Sequence, residues 1–130
     1  MKAECFALKL AVLNQDEGMF DYLWTEQSLC WNLSHFFIVL QAMMKYNQKP
    51  LQGGGWEAGV KKLLSSPTSK IIFLTSIFKV DDFIDAVDLL RDQFAKCEAL
   101  NPTLAAVSKK AMLKSPYLLY SFFYELSTNE

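Results

Sequence analysis

Two helix starts of the same kind stand 35 positions apart in this chain (101 − 66 = 35). Ser66-Pro67-Thr68 begins one helical segment and Asn101-Pro102-Thr103 begins the other. Each start combines a capping residue with a proline at the first helical position, where the missing N–H costs nothing. A second helical segment follows each start at nearly the same offset. Repetition at such a period predicts a solenoid of paired helices rather than one irregular core.

Helical periodicity extends along the rest of the chain. Apolar residues recur at spacings of three and four, and alternation typical of strands is nearly absent. We therefore predict an all-α fold, a short solenoid of about four antiparallel helix pairs, in a single domain over residues 1–130. The four units are predicted at about 3–28, 31–65, 66–97 and 101–127.

Charge and hydropathy limit the class of partner. The formal net charge is −1, so no overall field draws the chain to nucleic acid or to an anionic membrane. The longest apolar runs, such as 71–78, are far shorter than the ~20 residues of a membrane-spanning helix. We expect neither nucleic acid nor a membrane to be a partner, and an early acid at Glu4 argues against a signal peptide.

The pattern of the three cysteines indicates the cellular compartment of the protein. Cys5, Cys30 and Cys97 are odd in number and never form a C-x-x-C pair, which argues against a disulfide framework or a zinc site. Reduced, mostly buried thiols are expected instead. The sequence therefore predicts a cytoplasmic protein without a cofactor.

The first predicted unit resembles a known repeat family. Residues 6–12 (FALKLAV) and 19–24 (MFDYLW) are similar to the T-P-L-H-L-A-A and V-V-x-x-L-L segments of an ankyrin repeat, in matching register. Phe6-Ala7 replaces the family's Thr-Pro, and later units match it less closely. The resemblance implies an intracellular protein-binding scaffold that uses the turn at 14–18 and the loop at 47–55. It also implies inter-helix contacts at Leu8, Leu10, Ala11, Met19, Phe20 and Leu23.

Two features suggest catalysis only at first sight. Residues 53–55 are three glycines before a helix, as in a phosphate-binding loop, but Val60 stands where that loop requires lysine. His35 is the single histidine, so a multi-histidine metal site is excluded. Its neighbours Phe36 and Phe37 favour a packing role. We therefore predict that the protein is not an enzyme.

A stripe of acids marks the second helix of the third unit. Asp81, Asp85, Asp88 and Asp92 fall at i, i+4, i+7 and i+11, on one face of a helix. Like charges at these spacings are slightly unfavourable unless a basic group answers them. Two interpretations remain open, a solvated face and an electrostatic contact with a basic partner.

The last predicted helix is apolar around most of its circumference. Tyr117, Tyr120 and Tyr124 follow one side at i, i+3 and i+7. Such a helix is usually covered on two sides, either within its own domain or by a partner or second copy. Both alternatives stay open.

The functional hypothesis is a non-enzymatic protein-interaction module, an ankyrin-like scaffold or adaptor. The alternative is a structural subunit of a large assembly with both ends of the solenoid buried, and an enzyme ranks third. Aromatic side chains concentrate interface energy, so tyrosine and tryptophan are the expected anchors. The predicted partner-binding residues are Asp81, Asp85, Asp88, Asp92, Tyr117, Tyr120, Tyr124 and Trp56.

Overall fold

The computed structural model describes residues 3–14, 16–26, 31–46, 57–78, 83–114, 117, 118, 120 and 125. Within these ranges all regular secondary structure is helical, which confirms the all-α prediction. The described helices are α1 (Ala3–Leu13), α2 (Glu17–Glu26), α3 (Leu33–Tyr46), α4 (Glu57–Ser65), α5 (Pro67–Phe78), α6 (Phe83–Leu100) and α7 (Pro102–Met112).

Both of the repeated helix starts form as the sequence predicts. Helix α5 begins at Pro67 and α7 begins at Pro102. Asn101 has an extended backbone, and its Oδ1 accepts a hydrogen bond from the Leu104 N–H at 3.1 Å. The side chain thereby satisfies one of the amide donors that a helix start leaves open.

Helix α3 begins with a reciprocal cap built from Asn32 and His35. The Asn32 Oδ1 accepts from the His35 N–H at 3.2 Å, and the His35 Nδ1 accepts from the Asn32 N–H at 3.0 Å. This is a capping box with histidine in the place usually held by Glu or Gln. The His35 ring also meets Trp31 edge-on at 5.2 Å between centroids. His35 is therefore a structural residue of the helix start, in agreement with the packing role that the sequence predicts.

Replacing Asn32 by alanine is expected to lower the free energy of unfolding by about 1 kcal/mol, because the α3 start loses its side-chain acceptor. Thermal unfolding followed by circular dichroism measures the loss. The control is His35→Gln, whose amide oxygen keeps an acceptor for the Asn32 N–H. His35→Gln should retain more stability than His35→Ala, and equal stability of Asn32→Ala and wild type would contradict the cap.

Helix α3 is the centre of the described core. It contacts α1, α4, α5 and α6, and its inward side chains are buried from Phe36 to Met44. Phe36 meets Phe73 of α5 edge-on at 6.2 Å, and Phe73 meets Tyr117 in the same way at 5.0 Å. Edge-to-face rings at such distances add to the energy of apolar burial. The aromatic series therefore joins the second unit to the third and fourth.

Only some of the contacts between units are those expected of a linear stack of repeats. Helix α1 packs on α2 and α3, and α3 packs on α5, as neighbouring units of a solenoid do. Helix α4 also packs on α7, and Trp24 of α2 bonds Ser69 of α5. In a linear solenoid each repeat contacts only its neighbours. The described helices therefore also connect the first unit with the third and the second with the fourth.

In the first unit, the burial of the side chains agrees only in part with the contacts that the ankyrin resemblance implies. Leu8, Ala11, Phe20 and Leu23 are buried, as the resemblance implies. Leu10 and Met19, where the resemblance also implies inter-helix contacts, are 40% and 48% exposed. Helix α1 buries the face of Leu8, Ala11 and Val12, and Leu10 lies on the opposite side.

In the described part of the chain, no helix combines the length and hydropathy that a bilayer span demands.

Candidate binding groove between α2, α4 and α5

A groove of about 370 Å³ opens where α2 crosses the junction of α4 and α5. The junction is short, because Ser66 alone separates the two helices. Ligand sites in proteins usually enclose roughly 300–1,000 Å³, so this groove fits a small group or a short chain segment. Its lining consists of Phe20, Asp21, Trp24, Thr25, Lys62, Leu63, Ser65, Ser66 and Pro67.

The floor of the groove is aromatic and rigid. Phe20 and Trp24, one turn apart on α2, stack with centroids 6.0 Å apart. Trp24 also stacks on Trp31 at 6.0 Å, and its indole Nε1–H donates to the Ser69 Oγ at 3.2 Å. Because the Trp24 ring contacts two other rings and its N–H is bonded, its orientation is fixed. Phe20 and Trp24 are both buried, so they support the groove from beneath.

One rim of the groove is an ion pair between α2 and α4. Lys62 Nζ lies 2.7 Å from Asp21 Oδ2, and both side chains are about half exposed. The hydrogen bond from Lys62 to the Asp21 carboxylate raises the pKa of Lys62. Exposed pairs of this kind contribute little net stability. The pair therefore places one cation and one anion at the rim, and either can turn to a ligand at small cost.

Hydroxyl groups line a wall of the groove beside the ion pair. Thr25 follows Asp21 by one turn of α2, and Ser65 and Ser66 follow Lys62 at the end of α4. The Ser65 Oγ donates to the Lys62 carbonyl at 3.2 Å. A hydroxyl both donates and accepts hydrogen bonds, so the wall can pair with either polar group of a peptide backbone. The lining therefore combines hydroxyl, carboxylate and ammonium groups that can hydrogen-bond to a bound molecule.

Part of the acidic stripe is paired with a basic side chain of α6 itself. Asp88 and Asp92 are exposed, and Asp92 Oδ2 lies 3.3 Å from Lys96 Nζ, one turn further on. The sequence pattern did not identify Lys96 as the partner of Asp92. Asp85 lies on α6, with its side chain outside the described part, and Asp81 lies outside the described residues. At Asp92 the observed geometry is that of an internal pair on a solvated face.

Tyr117 and Tyr120 are core residues, which corrects their assignment as accessible partner anchors. Both are buried, and the Tyr117 hydroxyl donates to the Leu64 carbonyl at 2.7 Å. Tyr120 packs against Phe73 and Phe94 at 5.7 and 5.8 Å. Of the two alternatives for the final helix, burial within the domain describes these two side chains. Tyr124, Trp56 and the glycines 53–55 lie outside the described residues.

The thiol of Cys97 is buried and free. Burial raises its pKa to about 12, so the reactive thiolate is scarce at neutral pH. Cys97 is therefore a small apolar core residue rather than a nucleophile. Among the described residues no group of three or more His, Cys, Asp and Glu side chains is placed to hold a metal ion.

Comparison with known proteins identifies no relative of this chain. The chain matches no protein-family model, no curated protein and no solved structure. The geometry of the described residues therefore carries the functional argument.

The groove is not apparent from the sequence pattern. Phe20 and Trp24 stand at i and i+4, which is equally typical of an ordinary core contact. Asp21 and Lys62 are 41 positions apart, and Trp24 and Ser69 are 45 apart. Local patterns carry no information about pairs so distant in the chain. Only the crossing of α2 over the α4–α5 junction brings these residues together.

Proposed function

We propose that this chain is a non-enzymatic protein-interaction module that binds a short segment of a partner protein in the α2–α4–α5 groove. The observation that carries the proposal is a concavity of about 370 Å³ whose lining places an ion pair and hydroxyl groups above the buried rings of Phe20 and Trp24. A preformed concave site with a few polar groups is typical of binding pockets. Hydroxyls and a split ion pair at the rim suit a peptide backbone and one charged side chain.

An ankyrin-like scaffold remains the preferred finer description. The packing of α1 on α2 and α3, and of α3 on α5, supports it. The α4 contact with α7 joins the second and fourth units, which a linear ankyrin stack does not do. A cytoplasmic location belongs to the same proposal, and the free thiol of Cys97 is consistent with a reducing compartment.

A structural subunit of a larger assembly is the second candidate. The observation that favours it is the apolar outer face of α1, where Phe6, Leu10 and Leu13 are exposed. Monomeric proteins rarely leave large contiguous apolar areas open. The two candidates differ in location, because the adaptor uses the groove and the subunit uses α1.

Selection of a displayed random peptide library on the purified chain tests the groove. Peptides that enrich are expected to bind the wild type and to lose at least about tenfold in affinity against Thr25→Arg, whose long side chain fills the groove. Fluorescence polarisation of the labelled peptides measures the affinity.

The matched control is Thr103→Arg, an exposed threonine in the first turn of α7 and outside the groove lining. Thr103→Arg should bind as the wild type does. Failure of any peptide to enrich, or equal weakening by both substitutions, would remove the groove from the functional account.

A further inference from the structure

An apolar stripe runs along the outer side of α1. Phe6 is 57% exposed, Leu10 40% and Leu13 53%, and their spacing of four and three puts them on one face. Leu8, Ala11 and Val12, at the same levels of the helix, are buried on the opposite face. Helix α1 is thus apolar on two opposite sides, a pattern typical of helices that are covered on both.

Helix α2, which packs beside α1, exposes two further large apolar side chains. Met19 is 48% exposed and Tyr22 58%. Asp21 of the same helix faces α4 through Lys62. Since successive residues turn by about 100°, Met19 and Tyr22 lie on the flank of α2 away from α4. We call the five residues Phe6, Leu10, Leu13, Met19 and Tyr22 the α1–α2 patch.

The size of the α1–α2 patch suits a stable interface. Large apolar side chains offer roughly 150–200 Å² each, so five that are about half exposed present on the order of 450 Å². That area lies within the range of the largest patches on monomers, which are often functional. Because interfaces are roughly 60% apolar, it corresponds to about 750 Å² per partner, close to the standard size.

The stripe on α1 is also nearly symmetric about its middle residue. Phe6 lies four positions before Leu10, and Leu13 lies three positions after it. An antiparallel second α1 therefore places Leu10 against its own counterpart and Phe6 against the other copy's Leu13. Self-complementarity of this kind is what a twofold interface requires. With a formal net charge of −1, two copies repel each other little.

We propose that a second copy of this chain covers the α1–α2 patch in a twofold-symmetric dimer with α1 packed antiparallel on α1. This inference does not rest on the groove, which opens between α2, α4 and α5. It differs from the sequence-based expectation of self-association through the final helix, where Tyr117 and Tyr120 are buried within the domain.

Sedimentation equilibrium of the whole chain over a range of concentrations tests the dimer. The wild type should approach twice the monomer mass of 14.9 kDa as concentration rises. Leu10→Glu buries a carboxylate at the symmetry axis and should raise the dissociation constant at least about a hundredfold. The matched control is Ile71→Glu on α5, where the apolar side chain is 62% exposed, and it should dimerise as the wild type does.

Circular dichroism and thermal unfolding establish that each variant is folded. If Leu10→Glu fails to fold, the pair Phe6→Ala with Leu13→Ala replaces it, since that change removes apolar contact without adding charge. A wild type that stays at monomer mass up to about 200 µM overturns the proposal. A dimer that survives both patch variants, or that Ile71→Glu disrupts equally, overturns it as well.

Discussion

Replacing Trp24 by alanine is expected to lower the free energy of unfolding by about 3–5 kcal/mol. The side chain is buried, stacks on Phe20 and Trp31, and bonds Ser69 across 45 positions of sequence. Its loss opens a cavity and removes the hydrogen bond between α2 and α5. A small domain is stable by only about 5–15 kcal/mol, so the change removes a large share. Urea unfolding followed by circular dichroism at 222 nm measures it.

Two further substitutions separate packing from hydrogen bonding at this position. Trp24→Phe keeps an aromatic ring against Phe20 and Trp31 and should cost less than alanine. Ser69→Ala leaves the indole N–H without its acceptor in a buried site and should cost about 1–3 kcal/mol. Trp24→Phe should then cost less in the Ser69→Ala background than in the wild type. Additive losses, or a loss below about 1 kcal/mol for Trp24→Ala, would contradict the described contacts.

Alkaline pH is expected to destabilise the protein through two buried acids. Burial raises the pKa of the Cys97 thiol to about 12 and raises the pKa of the Tyr117 phenol above its ordinary value. In the unfolded chain the thiol ionises near pH 9 and the phenol near pH 10. The stability from keeping both neutral is therefore complete below about pH 9 and is lost as the pH rises.

Between its pKa in the unfolded chain and its pKa in the folded chain, each group lowers the free energy of unfolding by up to about 1.4 kcal/mol per pH unit as the pH rises. The expected total is about 2–4 kcal/mol between pH 8 and pH 11, measured by urea unfolding at successive pH values. The double variant Cys97→Ala with Tyr117→Phe starts from a lower stability but should follow a flatter curve. A wild-type curve that is level to pH 11, or equally steep curves for both proteins, would show that these groups are not buried as described.

Helix positions were readable from the sequence because their causes are local. Ser66-Pro67 and Asn101-Pro102 determine helix starts through capping and the fixed backbone of proline, and both helices begin there. The reciprocal form of the cap at Asn32 did not follow from the sequence, because its partner at the third position is His35 rather than the usual Glu or Gln.

Burial of the tyrosines was not readable in the same way. A helix apolar all round fits a core position and an interface equally well. Packing against Phe73 and the Leu64 carbonyl decides the matter for Tyr117, and both come from other units. The groove has the same character, since its rim and floor come from helices about 40 positions apart. Tertiary crossing, rather than pattern, creates it.

Hydrogen–deuterium exchange of the chain, alone and with a peptide selected on it, tests most directly whether the groove is a protein-binding site. Binding should slow exchange in α2, in α4 and at the start of α5, because the peptide covers their backbone and restrains their opening. Helices α6 and α7 should exchange at unchanged rates. Protection confined to α6 and α7, or no protection with a peptide at saturation, would contradict binding in the groove.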